Sequence, residues 1–220
     1  MIVSSMTVQE IREELLQDVE NIRGSIKKHK RDFEKSALKV SPYPFTKSYE
    51  CRSKLKKNLF IVTFTAKKRG DFKKPAYGIS GIYTRPEGNY AAALTMQLNM
   101  ISIYPPHFFK RYRERIVKDQ TISNEDLIRL YFKNDWGFMG AFVSKEMEAV
   151  FYCYEDDFKE EAISFVSASS QGYCFGEKQG QVNIIKTIIS DEMLFENQKS
   201  LFADLKRRLE ESNKQMYGWS

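Results

Sequence analysis

Leu59-Phe60-Ile61-Val62-Thr63-Phe64-Thr65-Ala66 is where the architecture first shows itself. These residues are β-branched or aromatic, the types that fit a pleated sheet, and Phe60, Val62, Phe64 and Ala66 share one face of a strand. The same period continues downstream. Residues 76–84 and 90–97 read as a hairpin joined through Pro86-Glu87-Gly88-Asn89, whose Gly and Asn tolerate positive φ. Met100–Tyr104 is a further short strand running into Pro105-Pro106. More strands are expected around 138–144, 148–154, 162–168, 171–176 and 182–189, the last pair turned at Gly176-Glu177-Lys178-Gln179-Gly180. Strands that follow strands without intervening helices predict antiparallel pairing, and hence an α+β fold built on a bent, mainly antiparallel sheet.

Helices bracket this sheet. Over 7–36, Val8, Ile11, Leu15, Val19, Ile22 and Ile26 step by three and four, giving one long amphipathic helix. It ends in the basic run Lys27-Lys28-His29-Lys30-Arg31, where the helix dipole favours cations, and Ser41-Pro42-Tyr43-Pro44 stops it. The run reads as a solvated helix end. A central pair follows the proline dipeptide: one helix over 107–118, and one over 123–133 opened by the capping sequence Ser123-Asn124-Glu125-Asp126. A closing helix over 191–214 is anchored by Leu194, Leu201, Leu205 and Leu209. The expected organisation is a single domain over 1–220: a helical arm to residue 40, a sheet core over 47–189 and the closing helix. The apolar stripe of the arm would dock on its own sheet or on a second copy.

Composition narrows the function classes. With 220 residues, 42% of them apolar and 14% aromatic, the chain is globular rather than disordered and needs no disulfide or metal staple. No apolar run is long enough to cross a membrane, and the acidic first 30 residues do not read as a signal peptide. Cys51, Cys153 and Cys174 are an odd set without a CxxC, which suits a reducing cytoplasm. Two histidines and scattered cysteines give no metal-ligand spacing, and no Walker loop is present, so neither a metal nor another cofactor is expected. Cys153 lies in an apolar strand pattern, whereas Cys174, between Gly172 and Gly176, is the better placed thiol for a nucleophile. The carboxylates Glu155, Asp156, Asp157, Glu160 and Glu161 read as a solvated loop and helix start.

Charge is unevenly spread. Residues 1–120 hold 24 Lys and Arg against 12 Asp and Glu, and residues 121–220 hold 11 against 17, for an overall net charge of +6. A basic half can be the footprint of a nucleic acid or another anionic partner; the plainer reading is that the acidic half packs over it or that the surface charge keeps the chain soluble. The richest stretch is Pro106-His107-Phe108-Phe109-Lys110-Arg111-Tyr112-Arg113-Glu114-Arg115-Ile116. At about 100° per residue, His107, Arg111, Arg115 and Lys118 fall along one helix edge while Phe108, Phe109, Tyr112 and Ile116 form the buried side. Arginine forks fit phosphate oxygens, and a histidine beside them can exchange protons near neutral pH. His107, Arg111 and Arg115 are therefore the candidate catalytic set, with Lys110, Arg113 and Lys118 as further nucleic-acid contacts. Tyr43, Phe45, Tyr77, Tyr83 and Tyr90 recur near cations and could stack single-stranded bases, but core packing is the favoured reading of them.

A strand, a helix bearing His107-x-x-x-Arg111-x-x-x-Arg115, a capped second helix and several antiparallel strands resemble the RelE/BrnT-type toxin ribonucleases over about 101–189. That resemblance implies phosphate contact or acid–base work by His107, Arg111 and Arg115. RNA, or less readily DNA, is the expected partner, with endoribonuclease activity as an extension. The contrasting expectation is a non-enzymatic interaction or scaffold module, in which the basic helix is structural.

Overall fold

The computed structural model of the chain describes residues 1–135, 138–142 and 163–217. The fold is α+β, with antiparallel strands, a helical N-terminal arm, a central helix pair and a C-terminal helix. Its internal contacts gather into two compact units, Met1–Ile103 with Ile128–Lys133, and Tyr104–Leu127 with Asn134–Ser220.

In the first unit, Thr7 caps helix α1 (Val8–Asp18) by a reciprocal box with Glu10, which satisfies otherwise orphaned amides. A single 3-10 turn, Val19–Ile22, tightens the arm before α2 (Arg23–Ala37). Asp18, at the junction, is fully buried and accepts from Asn21 and Asn58, so the junction carries a buried polar anchor. The stripe expected from the sequence is spent within this unit: Ile11, Leu15, Val19 and Ile22 are buried in its core and offer no face to a second copy. Strands β1 (Phe45–Arg52), β2 (Leu59–Ala66), β3 (Ala76–Arg85), β4 (Gly88–Thr95) and β5 (Met100–Tyr104) follow one another as neighbours. The pairs β1–β2, β2–β3 and β3–β4 are antiparallel, with Phe64 opposite Lys47 on one side and Tyr77 on the other. Gly81 on β3 lets α1 approach, since a Cβ there would lie 2.6 Å from Leu15 Cδ2. The β3–β4 turn is tighter than expected: Arg85 already pairs with Gly88, whose φ of 132° only glycine adopts readily.

In the second unit, α3 (Pro106–Tyr112) packs on β9 (Val182–Ile189), and β8 (Gly172–Gln179) lies between β9 and β7 (Ile163–Ser169), with β6 (Phe138–Phe142) beyond. Strand β8 runs past the expected turn: the register shifts between Phe175 and Gly176, with Lys186 of β9 left as the extra residue, and Gly176 lies close to β9, where a Cβ would be 2.2 Å from the Ile184 carbonyl oxygen. The turn falls instead at Gly180, with φ of 60°. Helix α4 (Asn124–Asn134), capped by Ser123, starts in this unit, and its Ile128–Lys133 segment belongs to the first. The C-terminal helix, α5 (Glu196–Tyr217), buries Phe202, Leu205 and Leu209 against Val166, Tyr173 and Phe175. The strand expected over 148–154, Cys153 and the carboxylates of 155–161 lie outside the described residues.

Candidate nucleic-acid interface

Pro105 and Pro106 open α3 with no amide to leave unpaired, and Phe108, Phe109 and Tyr112 fasten it into the second unit as fully or nearly fully buried rings. Tyr104 meets Phe108 edge-on with centroids 5.0 Å apart. The Tyr112 hydroxyl donates to Gln171 Oε1 at 2.5 Å, and burial pushes its pKa up to about 12. Tyr112 is thus a core anchor. His107 and Lys110 are exposed on the opposite side, and Arg111 is half-buried and pairs with Glu114 at 3.5 Å.

The expected helix over 107–118 does not stay α-helical. Arg113–Val117 is one turn of π-helix, closed by the Lys118 amide donating to the Arg113 carbonyl at 2.7 Å, with Lys118 left-handed at φ 56°. The wider turn changes the angular step, so residues after Tyr112 leave the edge on which His107 and Arg111 stand. Arg113 turns to the following loop, where Nη2 donates to the Ile122 carbonyl and to Asn124 Oδ1, both at 2.8 Å, and braces it. Arg115 turns to β9, its Nη1 donating to Thr187 Oγ1 at 2.7 Å and to the Ile188 carbonyl at 3.2 Å. Lys118 lies 3.7 Å from Glu192.

Arg115 and Lys118 thereby line a pocket of about 380 Å³. Its other walls are the Ser169–Tyr173 turn, Ser190–Glu192 and Lys206 of α5. His107, Lys110, Arg111 and Arg113 are not among its lining residues, so the structure brings two of the six expected residues together and leaves the other four outside. The turn is held by its own hydroxyls. Ser169 Oγ donates to the Gly172 carbonyl at 2.9 Å and accepts from the Gln171 amide at 3.2 Å, and Ser170 Oγ donates to the Asn134 carbonyl at 2.6 Å. Asp191 anchors Lys206 by a short ion pair and also accepts from the Tyr173 hydroxyl. Burial works to raise the Asp191 pKa, but the hydrogen bonds from Lys206 and Tyr173 outweigh it and hold the group below the ordinary carboxylate range. Burial and the Asp191 carboxylate push the Tyr173 phenol up.

Lys206, Asp191 and the Ser169–Gly172 turn are absent from the sequence-based set because 54 to 91 residues separate them from Arg115, too far for any local pattern to link them. Lys186 is buried and pairs with Glu177 at 3.1 Å, which makes it part of the sheet. Cys51 and Cys174 are both buried and neither is in a disulfide, and burial pushes the Cys51 thiol up. Of the aromatic candidates, Tyr83 is buried and stacked on Tyr90, whereas Tyr77 is 59% exposed. Among the described residues no group of three or more His, Cys, Asp or Glu side chains converges as a metal site, and no helix is long and apolar enough to cross a membrane. No family model, no curated protein and no solved structure matches the chain.

Proposed function

We propose that the chain binds RNA and that the pocket beside the π turn receives a phosphate-bearing nucleotide of the strand. One observation carries this reading: Arg115 and Lys118 at the π turn and Lys206 of α5 come from two separate segments to one pocket, which Ser169, Ser170, Gln171 and the partnered carboxylates Asp191 and Glu192 also line. Its volume lies within the range of about 300–1,000 Å³ typical of small-ligand sites. Cations suit the phosphate, and the serines and Gln171 suit a ribose or base edge. His107, Lys110 and Arg111, on α3 outside the pocket lining, are further contacts for neighbouring phosphates. Strand cleavage is the extension of this reading. His107, exposed in the first turn of α3, is its proton acceptor or donor, acting on a strand already held by the pocket.

The test is binding of a labelled single-stranded RNA at two salt concentrations, wild type beside Lys118→Ala and Arg115→Ala, with circular dichroism as the fold control. Salt-sensitive binding weakened by both variants is the expected result, and cleavage is then assayed with His107→Ala. No RNA binding by the folded wild type at low salt overturns the reading and leaves an interaction module.

A further inference from the structure

The first unit carries a larger cationic surface than the pocket does. The 3-10 turn Arg69–Lys73 packs against α2, which brings two basic segments distant in sequence onto one side of that unit. On α2 and just beyond it, Lys27, Lys28, Arg31, Lys35 and Lys39 are exposed. On the turn and its flanks, so are Lys68, Arg69, Lys73 and Lys74. Residues 27–39 hold six Lys and Arg against two acids, and residues 67–74 hold five against one. Among the described residues, none of these nine side chains forms an ion pair. The nearby carboxylates are already engaged, Asp32 by Lys47 at 2.8 Å and Glu34 by Lys30 at 3.7 Å.

At about 100° per residue, Lys27, Lys28, Arg31 and Lys35 occupy an arc of about 100° opposite the buried Phe33 and Ala37. The arrangement costs electrostatic free energy in the isolated unit, because eleven cations are gathered around three carboxylates. An anionic partner removes that cost. We infer that this surface of α2 and the 3-10 turn is a docking site for the phosphate backbone of RNA, separate from the pocket. The inference rests on the RNA reading of the chain. Nucleic acid is favoured over a lipid surface because the apolar side of α2 is committed to the core through Phe33, Phe45 and Phe64, which leaves no apolar row to enter a bilayer. Tyr77, 59% exposed beside Phe64 with ring centroids 5.7 Å apart, offers a stacking ring at the same sheet.

The experiment compares the wild-type chain with Lys28→Glu/Arg31→Glu/Lys68→Glu/Arg69→Glu, and with the milder glutamine set at the same four positions. Lys118→Ala reports on the pocket. The readout is affinity for a labelled single-stranded RNA across salt. Each lost phosphate contact lowers the salt slope by about 0.7, so four lower it by about 3. Between roughly 50 and roughly 200 mM salt the wild type then weakens about fifty-fold more than the variant. Wild-type affinity and slope in the folded quadruple variant overturn the inference. If Lys118→Ala is weakened in that case, the pocket reading stands. If the folded wild type binds no RNA, both readings fall. Binding to vesicles of phosphatidylserine in phosphatidylcholine, lost in the quadruple variant, then assigns the surface to membranes.

Discussion

Replacing Asn58 by alanine opens the most exposed weakness of the first unit's interior. Asn58 is buried, and its Nδ2 donates to Glu14 Oε1 at 3.0 Å and to Asp18 Oδ2 at 2.9 Å. Its Oδ1 accepts from the Ile2 amide at 3.1 Å. Asp18 is fully buried, and its other carboxylate oxygen accepts from Asn21 Nδ2 at 2.8 Å. Truncation leaves that carboxylate with a single side-chain donor. Hydrogen bonds to charged groups contribute about 1.5–3 kcal/mol each, so losing two costs about 3–6 kcal/mol before relaxation. Glu14 retains Lys56, at 2.6 Å, and moves toward water, which brings the expected loss to about 3–4 kcal/mol. That is a large share of the roughly 5–15 kcal/mol that holds a typical domain. Urea unfolding followed by circular dichroism measures it. Asp18→Ala removes the group that needs the donor, so the double variant costs at least about 1 kcal/mol less than the two singles together. A loss below about 1 kcal/mol in Asn58→Ala, or strict additivity in the double, refutes the reasoning.

Three further outcomes follow from particular contacts. Burial works to raise the Glu14 pKa, yet hydrogen bonds from Lys56, the N-terminal ammonium and Asn58 hold it at about 2. The stability it contributes is therefore full above its ordinary pKa of 4.5 and lost as pH falls toward 2, and acid titration of Glu14→Gln shows a flatter stability profile over that window. Gly176→Ala drives a Cβ to 2.2 Å from the Ile184 carbonyl and 3.1 Å from Phe165, so it destabilises by about 2–3 kcal/mol, read as a lowered urea midpoint. Thr187→Val removes the hydroxyl that accepts from Arg115 at 2.7 Å; RNA affinity falls several-fold while the thermal midpoint moves little, and unchanged affinity in the folded variant speaks against Arg115 as a phosphate contact.

The strands were legible because period two is a local property. The run 59–66 is β2, and 182–189 is β9 to the residue. Errors cluster where one close approach overrides local preference. Gly176 reads as a turn residue, but it sits within the strand beside a register shift, where the close Ile184 carbonyl leaves room only for glycine, and the strand continues. The edge of 107–118 fails for a related reason: an angular step assumed constant is broken by the π turn, which sends Arg113, Arg115 and Lys118 to different partners. The pocket itself was beyond reach, since Lys206 and Asp191 meet Arg115 only through the order of strands.

The two cationic surfaces differ in how their charge is offset, and on the proposed RNA reading that difference divides the labour between them. At the pocket, Lys118 lies near Glu192, Lys206 is held by Asp191, and Arg115 is fixed by a hydroxyl and a carbonyl. Charges arranged this way are oriented more than they are accumulated, so they add little to long-range attraction and much to the choice of what fits among the serines and Gln171. On α2 and the 3-10 turn the nine exposed cations named above form no ion pair among the described residues, which suits counterion release and fast capture of any strand. Nucleotide preference should therefore follow substitutions at the pocket, and the salt slope those on α2 and the turn. Preference and slope that moved together in both sets of variants would mean one undivided site.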